Sequence, residues 1–318
     1  MKRIIIFGAT GGIGVYTALS LKNDYEIIAV GRRNDNGFFA DHGIEYIQCD
    51  ITKKDDYLKL PKIKYAVINL AAMIPARMNG YEPQQYIDSI MNLNILDYTI
   101  GAEKYLYFQS FSDVRYLWSK MPIPADSESR FPENNDHSVY SICKTAAMNL
   151  SLHYGTKYGY KCFVIRLPNV YIYHPDPYYY LNGERRWQNY RLMIYKACQG
   201  ENIEIWNDPR KIRDILYVKD LNEIIKLCIE SDKPNTYNAG TGIGTTLEDQ
   251  VKGIVEVFGG SYSYANNEYQ TIEYIMDISK TIISLGYKPK YNYLDYLRDF
   301  KNEMELNRFE KLWGKPLQ

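Results

Sequence analysis

Gly8-Ala9-Thr10-Gly11-Gly12-Ile13-Gly14 decides how the rest of the chain is read. The stretch follows residues 2–7, where Ile4, Ile5, Ile6 and Phe7 read as a buried strand, and it opens residues 12–22, whose periodicity predicts a helix. Glycines at 8, 11 and 14 give the spacing G-x-x-G-x-x-G. A pyrophosphate can rest on the free N–H groups of a helix N-terminus only where the backbone comes close to it, and Cβ atoms at these positions would stand in the way. The turn is therefore expected to hold a dinucleotide, with Gly8, Thr10, Gly11, Gly12, Ile13 and Gly14 as its contacts.

Outward from the turn the same rhythm continues. Residues 26–30, 44–48, 65–70, 104–109 and 161–167 read as buried strands, and 84–100 and 138–158 as helices between them. Alternation of this kind builds right-handed βαβ units, so the expected class is α/β, a doubly wound parallel sheet with helices on both faces. After Pro168 the rhythm breaks: residues 174–190 are rich in Pro and Tyr and read as an irregular, substrate-covering segment. Helical patterns return at 191–200, 218–231, 246–258, 278–285 and 293–311, with short strands near 203–206 and 236–238. The expected division is a nucleotide-binding domain, residues 1–168 with about 216–240 returning to it, and a smaller C-terminal substrate lobe, residues 169–215 and 241–318. The cleft between them is the expected active site.

Composition narrows the partners. Lys plus Arg and Asp plus Glu both number 38, which leaves no global field to draw the protein onto nucleic acid or an anionic membrane. Five scattered cysteines lack metal-ligand spacing and argue against a disulfide framework. Four histidines, His42, His137, His153 and His174, show no ligand clustering, so no metal is expected, and of the four His174 is the one expected near substrate. Only four apolar residues separate Arg3 from Gly8, too few for a signal-peptide core, and no run approaches a membrane span. The expectation is a cytoplasmic protein acting on a small molecule.

Val30-Gly31-Arg32-Arg33 ends the second strand. An acidic residue at such a place accepts from the adenosine ribose, whereas arginine pairs with a 2′-phosphate, so Arg32 and Arg33 favour NADP(H), with NAD(H) as the alternative. Asp50-Ile51 is expected at the adenine edge and Ala71-Ala72 beside the cofactor. Tyr140 and Lys144 stand at i and i+4 on one helix face. Hydride exchange at a carbon bearing oxygen needs a proton partner, and a phenol whose pKa is lowered by an ammonium can serve. In a chain with 32 tyrosines that spacing is common. It gains weight from Ser110 and Ser112, two residues apart at a strand end, where a hydroxyl can steady the reacting oxygen.

Together these residues resemble the extended branch of the short-chain dehydrogenase/reductase family, which includes NAD-dependent sugar-nucleotide epimerases, dehydratases and reductases on a Rossmann fold. The resemblance spans nearly the whole chain. Arg166-Leu167-Pro168-Asn169-Val170-Tyr171 is similar to the family's R-x-x-N-V-Y-G, which implies that Asn169 contacts substrate and Pro168 cofactor. The run from Arg213 to Leu221 resembles R-D-F-I-H-V-x-D-L, implying that Arg213 reaches a nucleotide-sugar diphosphate. Tyr237-Asn238-Ala239-Gly240, Asp277-Ile278-Ser279-Lys280 and Leu285-Gly286-Tyr287-Lys288-Pro289 match further landmarks.

The departures are informative. Where the family has S-S/T-x-x-V-Y-G, this chain has Ser110-Phe111-Ser112-Asp113-Val114-Arg115-Tyr116. Counting from Lys104 selects Ser110 as the catalytic hydroxyl, counting back from Tyr116 selects Ser112; Ser110 is preferred, with Ser112 then facing substrate. Neither register supplies the Thr-Asp-Glu of the dehydratases, so dehydration is disfavoured. The family's second diphosphate arginine falls near Asn267 and Glu268, leaving Arg185, Arg186 or Arg191 as substitutes. The resemblance implies catalysis by Ser110, Tyr140 and Lys144 on a nucleotide sugar, either as an epimerase or as a 4-keto-reductase, and a homodimer formed through helices 84–100 and 138–158. Two alternatives stay open: a reductase of a non-nucleotide carbonyl, and a non-catalytic NADP-binding regulator.

Overall fold

Ile4, Ile5, Ile6 and Phe7 are fully buried, and a strand covered on both faces belongs at the centre of a sheet. The computed structural model, which describes residues 1–77, 93–131, 138–181, 183–206, 208–265 and 273–316, puts it there. β1 (Arg3–Phe7) lies between β2 (Glu26–Gly31) and β4 (Ala66–Asn69), β3 (Glu45–Gln48) pairs outside β2, and β5 (Lys104–Ser110) and β6 (Lys161–Leu167) extend the other side. The strand Thr236–Asn238 closes that edge against β6. All six pairings are parallel. Ile4 and Ile6 enter one buried layer, Ile5 and Phe7 the other, as the two-residue repeat of a strand requires.

This is the Rossmann sheet the alternation predicts. Its strand order reverses between β1 and β4, and there the carboxyl ends of neighbouring strands open a crevice. Because every strand runs the same way, the residues that follow β1, β2, β3, β4, β5 and β6 all emerge on one edge. Fold topology alone therefore gathers Gly8, Arg32, Asp50, Ala71, Ser110 and Pro168.

The rest of the chain forms two-stranded ladders and helices: Val170–Tyr171 with Leu216–Tyr217, Ile212–Asp214 with Gly244–Thr246, and Asn202–Ile205 with Ser261–Tyr264. The helices run Asn189–Cys198, Val218–Glu230, Leu247–Phe258 and Ser279–Leu285. Two expectations need correction. The 174–190 segment is not wholly irregular, since Tyr178–Leu181 and Glu184–Trp187 form an antiparallel hairpin. The helix expected over 293–311 is two helices, Tyr293–Leu306 and Glu310–Trp313, because Asn307 takes a left-handed conformation (φ 41°) that stops the first. Of the helix expected at 84–100, Leu93–Thr99 is helical, Ile100 is a turn residue, and 84–92 lie outside the described residues. No described helix is long and apolar enough to cross a membrane.

Candidate active site

The glycine turn is tied to its surroundings by close contact. Gly8 has φ +79°, and a Cβ there would stand 2.7 Å from the Ala71 nitrogen at the end of β4; a Cβ on Gly14 would stand 2.2 Å from the Gly8 carbonyl oxygen. Neither position can carry a side chain. Gly11 N–H donates to the Gly8 carbonyl at 3.0 Å, and the first helical bond of α1 (Gly12–Leu21) runs from Val15 N to Gly11 O at 3.1 Å. The N–H groups of Gly12, Ile13 and Gly14 thus precede the first helical hydrogen bond, at the positive end of the helix dipole. That arrangement fits a pyrophosphate.

At the end of β2, Arg32 and Arg33 are exposed, with their backbone held: Gln48 Nε2 donates to Arg32 O at 2.9 Å, and the Tyr46 hydroxyl donates to Arg33 O. The nearby acid Asp35 is buried and its carboxylate accepts Gly37 N–H (3.2 Å) and Phe39 N–H (2.9 Å). It is committed to the loop. Asp50 accepts from Thr52 Oγ1 (2.8 Å) and Thr52 N (3.1 Å), which hold its carboxyl below the usual range, with Lys53 and Arg32 helping. The Ile51 carbonyl accepts from Asn94 Nδ2 at 3.0 Å, and Ala71 N–H donates to Asn69 Oδ1 at 3.2 Å. Ala72 is exposed beside it.

The helix Ser138–Tyr158 carries Tyr140 and Lys144, both buried, on its sheet-facing side. Tyr140 packs with Cys143, Val139 and Met73, the last just beyond Ala71-Ala72. The Lys144 ammonium sits 4.3 Å from the centre of the Tyr107 ring, while the Tyr107 hydroxyl donates to the Lys144 carbonyl at 2.9 Å. Burial pulls the Lys144 pKa down to about 7, and the negative charge of Asp113 opposes that fall.

Three serines meet beside them. Ser141 Oγ donates to Ser112 Oγ at 3.1 Å, and Ser112 Oγ donates to Ser110 Oγ at 2.9 Å. Ser112, buried within this chain, is bonded on both sides, whereas Ser110 is half-buried at the outer end of the chain of hydroxyls. Ser141 was not legible as a site residue, since nothing about a serine next to Tyr140 marks it until the helix is docked on β5. Phe111 was likewise missed. Its ring centre lies 4.7 Å from that of Trp118 and 4.9 Å from that of Tyr274, which joins the serine cluster to the residues around Asn169 and Arg213.

Those residues converge on two phenols. Burial pushes Tyr171 and Tyr274 up, and the Arg213 guanidinium opposes the shift at both; the Asn169 side chain reaches the Tyr274 phenol. Buried Pro168 leads from β6 into exposed Asn169. Of the substitute arginines, Arg191 is buried and donates to the His174 carbonyl at 2.7 Å, Arg186 pairs with Glu184, and Arg185 stacks 3.8 Å over Tyr178. Asn267, Glu268 and His137 lie outside the described residues. Burial and the charges of Arg77, Arg191 and Arg33 pull the His174 pKa down to about 3, so the ring is neutral. Among the described residues no group of His, Cys, Asp and Glu is assembled to hold a metal.

A parallel sheet with a glycine turn at its switch point, and a Tyr and Lys one helical turn apart on the helix covering its edge, defines a dinucleotide-dependent enzyme. The chain belongs to the NAD dependent epimerase/dehydratase family, whose model matches residues 4–240. It is 25% identical to an uncharacterized protein of Methanocaldococcus jannaschii over 95% of both chains. Its fold is similar to that of the UDP-glucose 4-epimerase of Thermotoga maritima solved with UDP-glucose (TM-score 0.75, 22% identity, 95% of this chain and 99% of that one). It is also similar to the dTDP-glucose 4,6-dehydratase of Bacillus anthracis solved with NAD (TM-score 0.74, 20% identity, 98% and 99%).

Proposed function

We propose that the protein is an NAD(P)-dependent epimerase of a nucleotide-activated sugar, working at a sugar carbon, C4, through Tyr140, Lys144 and Ser110. One observation carries the reading: Tyr140 and Lys144, buried on a single helix face, adjoin the Ser141–Ser112–Ser110 hydroxyl chain at the end of β5. The N–H groups of Gly12, Ile13 and Gly14 would hold the pyrophosphate, Lys144 the nicotinamide ribose, and Arg32, Arg33, Asp50 and Ile51 the adenosine end. Ala71, Ala72 and Pro168 would line the dinucleotide. When bound, the dinucleotide supplies reversible acceptance of hydride from the sugar carbon.

Tyr140 takes the proton of the reacting hydroxyl and returns it. A phenolate is costly in a buried site, and the adjacent Lys144 ammonium offsets that cost. Ser110 donates to the same sugar oxygen, aimed by Ser112, and Asn169 and Arg213 hold the sugar and its diphosphate. On this reading residues 1–168 and about 216–240 carry the dinucleotide, and 169–215 and 241–318 the sugar nucleotide. Water elimination is disfavoured because Asp113, which follows Ser112, is consumed by Arg166, Gln109 and Ser129. Ile142 and Leu152, large apolar side chains exposed on the Ser138–Tyr158 helix, support a homodimer through that face.

A second reading, an NADPH-dependent 4-keto-reductase, is favoured by Arg32 and Arg33. Both are exposed, and the neighbouring acid Asp35 is engaged elsewhere. Incubation with UDP-, dTDP- and GDP-sugars separates the two: isomer interconversion without net consumption of dinucleotide identifies the epimerase, and stoichiometric NADPH oxidation with a keto-sugar nucleotide the reductase. No binding heat with any sugar nucleotide would point instead to a non-nucleotide carbonyl.

A further inference from the structure

Trp313 is 303 positions from Thr10 in sequence, yet its indole N–H donates to the Thr10 carbonyl at 2.9 Å. The contact is one of several made by a short segment, residues 309–313, folded back on the first domain. Phe309 is fully buried, with its ring centre 4.9 Å from that of Tyr16 in α1 and 6.0 Å from that of Phe38. Lys311 pairs with Asp41 and donates to Gly37 O at 3.3 Å, while Asn36 Nδ2 donates to Lys311 O at 3.1 Å. The Trp313 ring lies 4.3 Å from that of His174 and 4.7 Å from that of Phe309. This one segment therefore touches the glycine turn, the loop that follows Arg32-Arg33, and the chain that follows Asn169–Tyr171.

We propose that residues 309–313 form a clasp that fixes the dinucleotide-binding turn, with Trp313 as the positioning residue. The inference rests on the reading that a dinucleotide lies on the glycine turn. The Thr10–Gly11 peptide immediately precedes the N–H groups of Gly12, Ile13 and Gly14. A peptide plane that rotates there turns a carbonyl oxygen toward the anion and turns the following donors out of line. The Trp313 N–H holds that oxygen on the side of the clasp, and the Gly11 N–H is held in turn by Gly8 O at 3.0 Å. Both polar groups of the peptide are thereby fixed before any ligand arrives, which lowers the ordering cost of binding. His174 supports the ring from the far side. It is itself held, accepting Asp176 N–H at Nδ1 (3.1 Å) and taking Arg191 at its carbonyl (2.7 Å).

The test is Trp313→Phe, which keeps an aromatic ring and removes the N–H. Isothermal titration with NAD and NADP is expected to give a dissociation constant about tenfold higher than wild type for the preferred dinucleotide. Turnover at saturating dinucleotide and KM for the sugar nucleotide are expected within about twofold of wild type, with the thermal midpoint of the ligand-free protein unchanged. Trp313→His, which keeps a ring N–H, is expected to recover part of the affinity. Wild-type dinucleotide affinity in Trp313→Phe overturns the clasp alone, and so does a loss of affinity matched by an equal loss of ligand-free stability. A wild-type protein that binds neither dinucleotide overturns the reading of the turn and the clasp with it.

Discussion

Arg166 and Asp113 form a two-pronged ion pair inside the protein, Nε to Oδ1 at 3.1 Å and Nη2 to Oδ2 at 3.2 Å, with side chains 2% and 1% exposed. The pair joins the first residue of the R-x-x-N-V-Y-like segment to the 3-10 helix Phe111–Leu117 after β5, and so fixes Asn169 relative to Ser110 and Ser112. Gln109 and Ser129 complete the Asp113 carboxylate, and the carbonyls of Ala125 and Ser127 complete the guanidinium. Removing one charge strands the other. Arg166→Met is expected to lower the unfolding free energy by about 3–5 kcal/mol, read from the urea midpoint, and Asp113→Asn by less, since the amide retains part of the bonding.

The sheet, the glycine turn and the Tyr140–Lys144 face were legible because each rests on short-range pattern. A strand buried on both faces reads as an apolar run, and a turn closed onto backbone at Gly8 and Gly14 tolerates no other residue. The landmarks after residue 200 were legible for a structural reason. Asp214, fully buried, accepts Thr241 N, Thr241 Oγ1, Gly242 N and Met276 N, and the Tyr287 hydroxyl donates to Gly240 O. These bonds tie the segments around Asp214, Gly240–Gly242, Met276 and Tyr287 to one another. The strands Tyr178–Leu181 and Glu184–Trp187 were not legible because a cluster of tyrosines reads as irregular chain, although the Asn182-Gly183 dipeptide is itself a hairpin signal. Contacts that depend on docking, such as Ser141 on Ser112 and Trp313 on Thr10, leave no trace in spacing.

The serine chain ranks its members. Ser110 is the half-buried outer member, so Ser110→Ala is expected to lower kcat by about 100-fold. Ser112→Ala removes its aim, and Ser141→Ala, one bond further back, is expected to cost about tenfold or less. Steady-state kinetics on the three variants checks the order; a larger loss in Ser112→Ala than in Ser110→Ala would reassign the substrate-contacting hydroxyl.

On the proposed reading, Lys144 links activity to pH-dependent stability. Unfolded, the ammonium titrates near its ordinary 10.5, while in the folded ligand-free protein burial brings it to about 7. Below pH 7 both states hold the proton and the folded state bears the full cost of a buried charge; between 7 and 10.5 the folded state sheds it and the cost is relieved. Stability of the ligand-free protein is expected to rise across that window. Lys144→Met is expected to flatten the rise, to add about 1–4 kcal/mol at pH 6, and to reduce turnover by about 100-fold or more. Chemical denaturation at several pH values reads the first two.

On the proposed reading, Arg32 and Arg33 set the dinucleotide preference. Arg32→Ala and Arg33→Ala are each expected to weaken NADP binding about tenfold with little effect on NAD. Equal losses for both dinucleotides would mean that neither guanidinium meets a 2′-phosphate.

The most direct test of the account is rapid mixing of the dinucleotide-loaded protein with its sugar nucleotide, following reduced-nicotinamide absorbance in wild type and Tyr140→Phe. Hydride exchange is expected in the wild type, with a loss of about 100-fold or more in the variant and dinucleotide affinity retained. Undiminished exchange in Tyr140→Phe would contradict it.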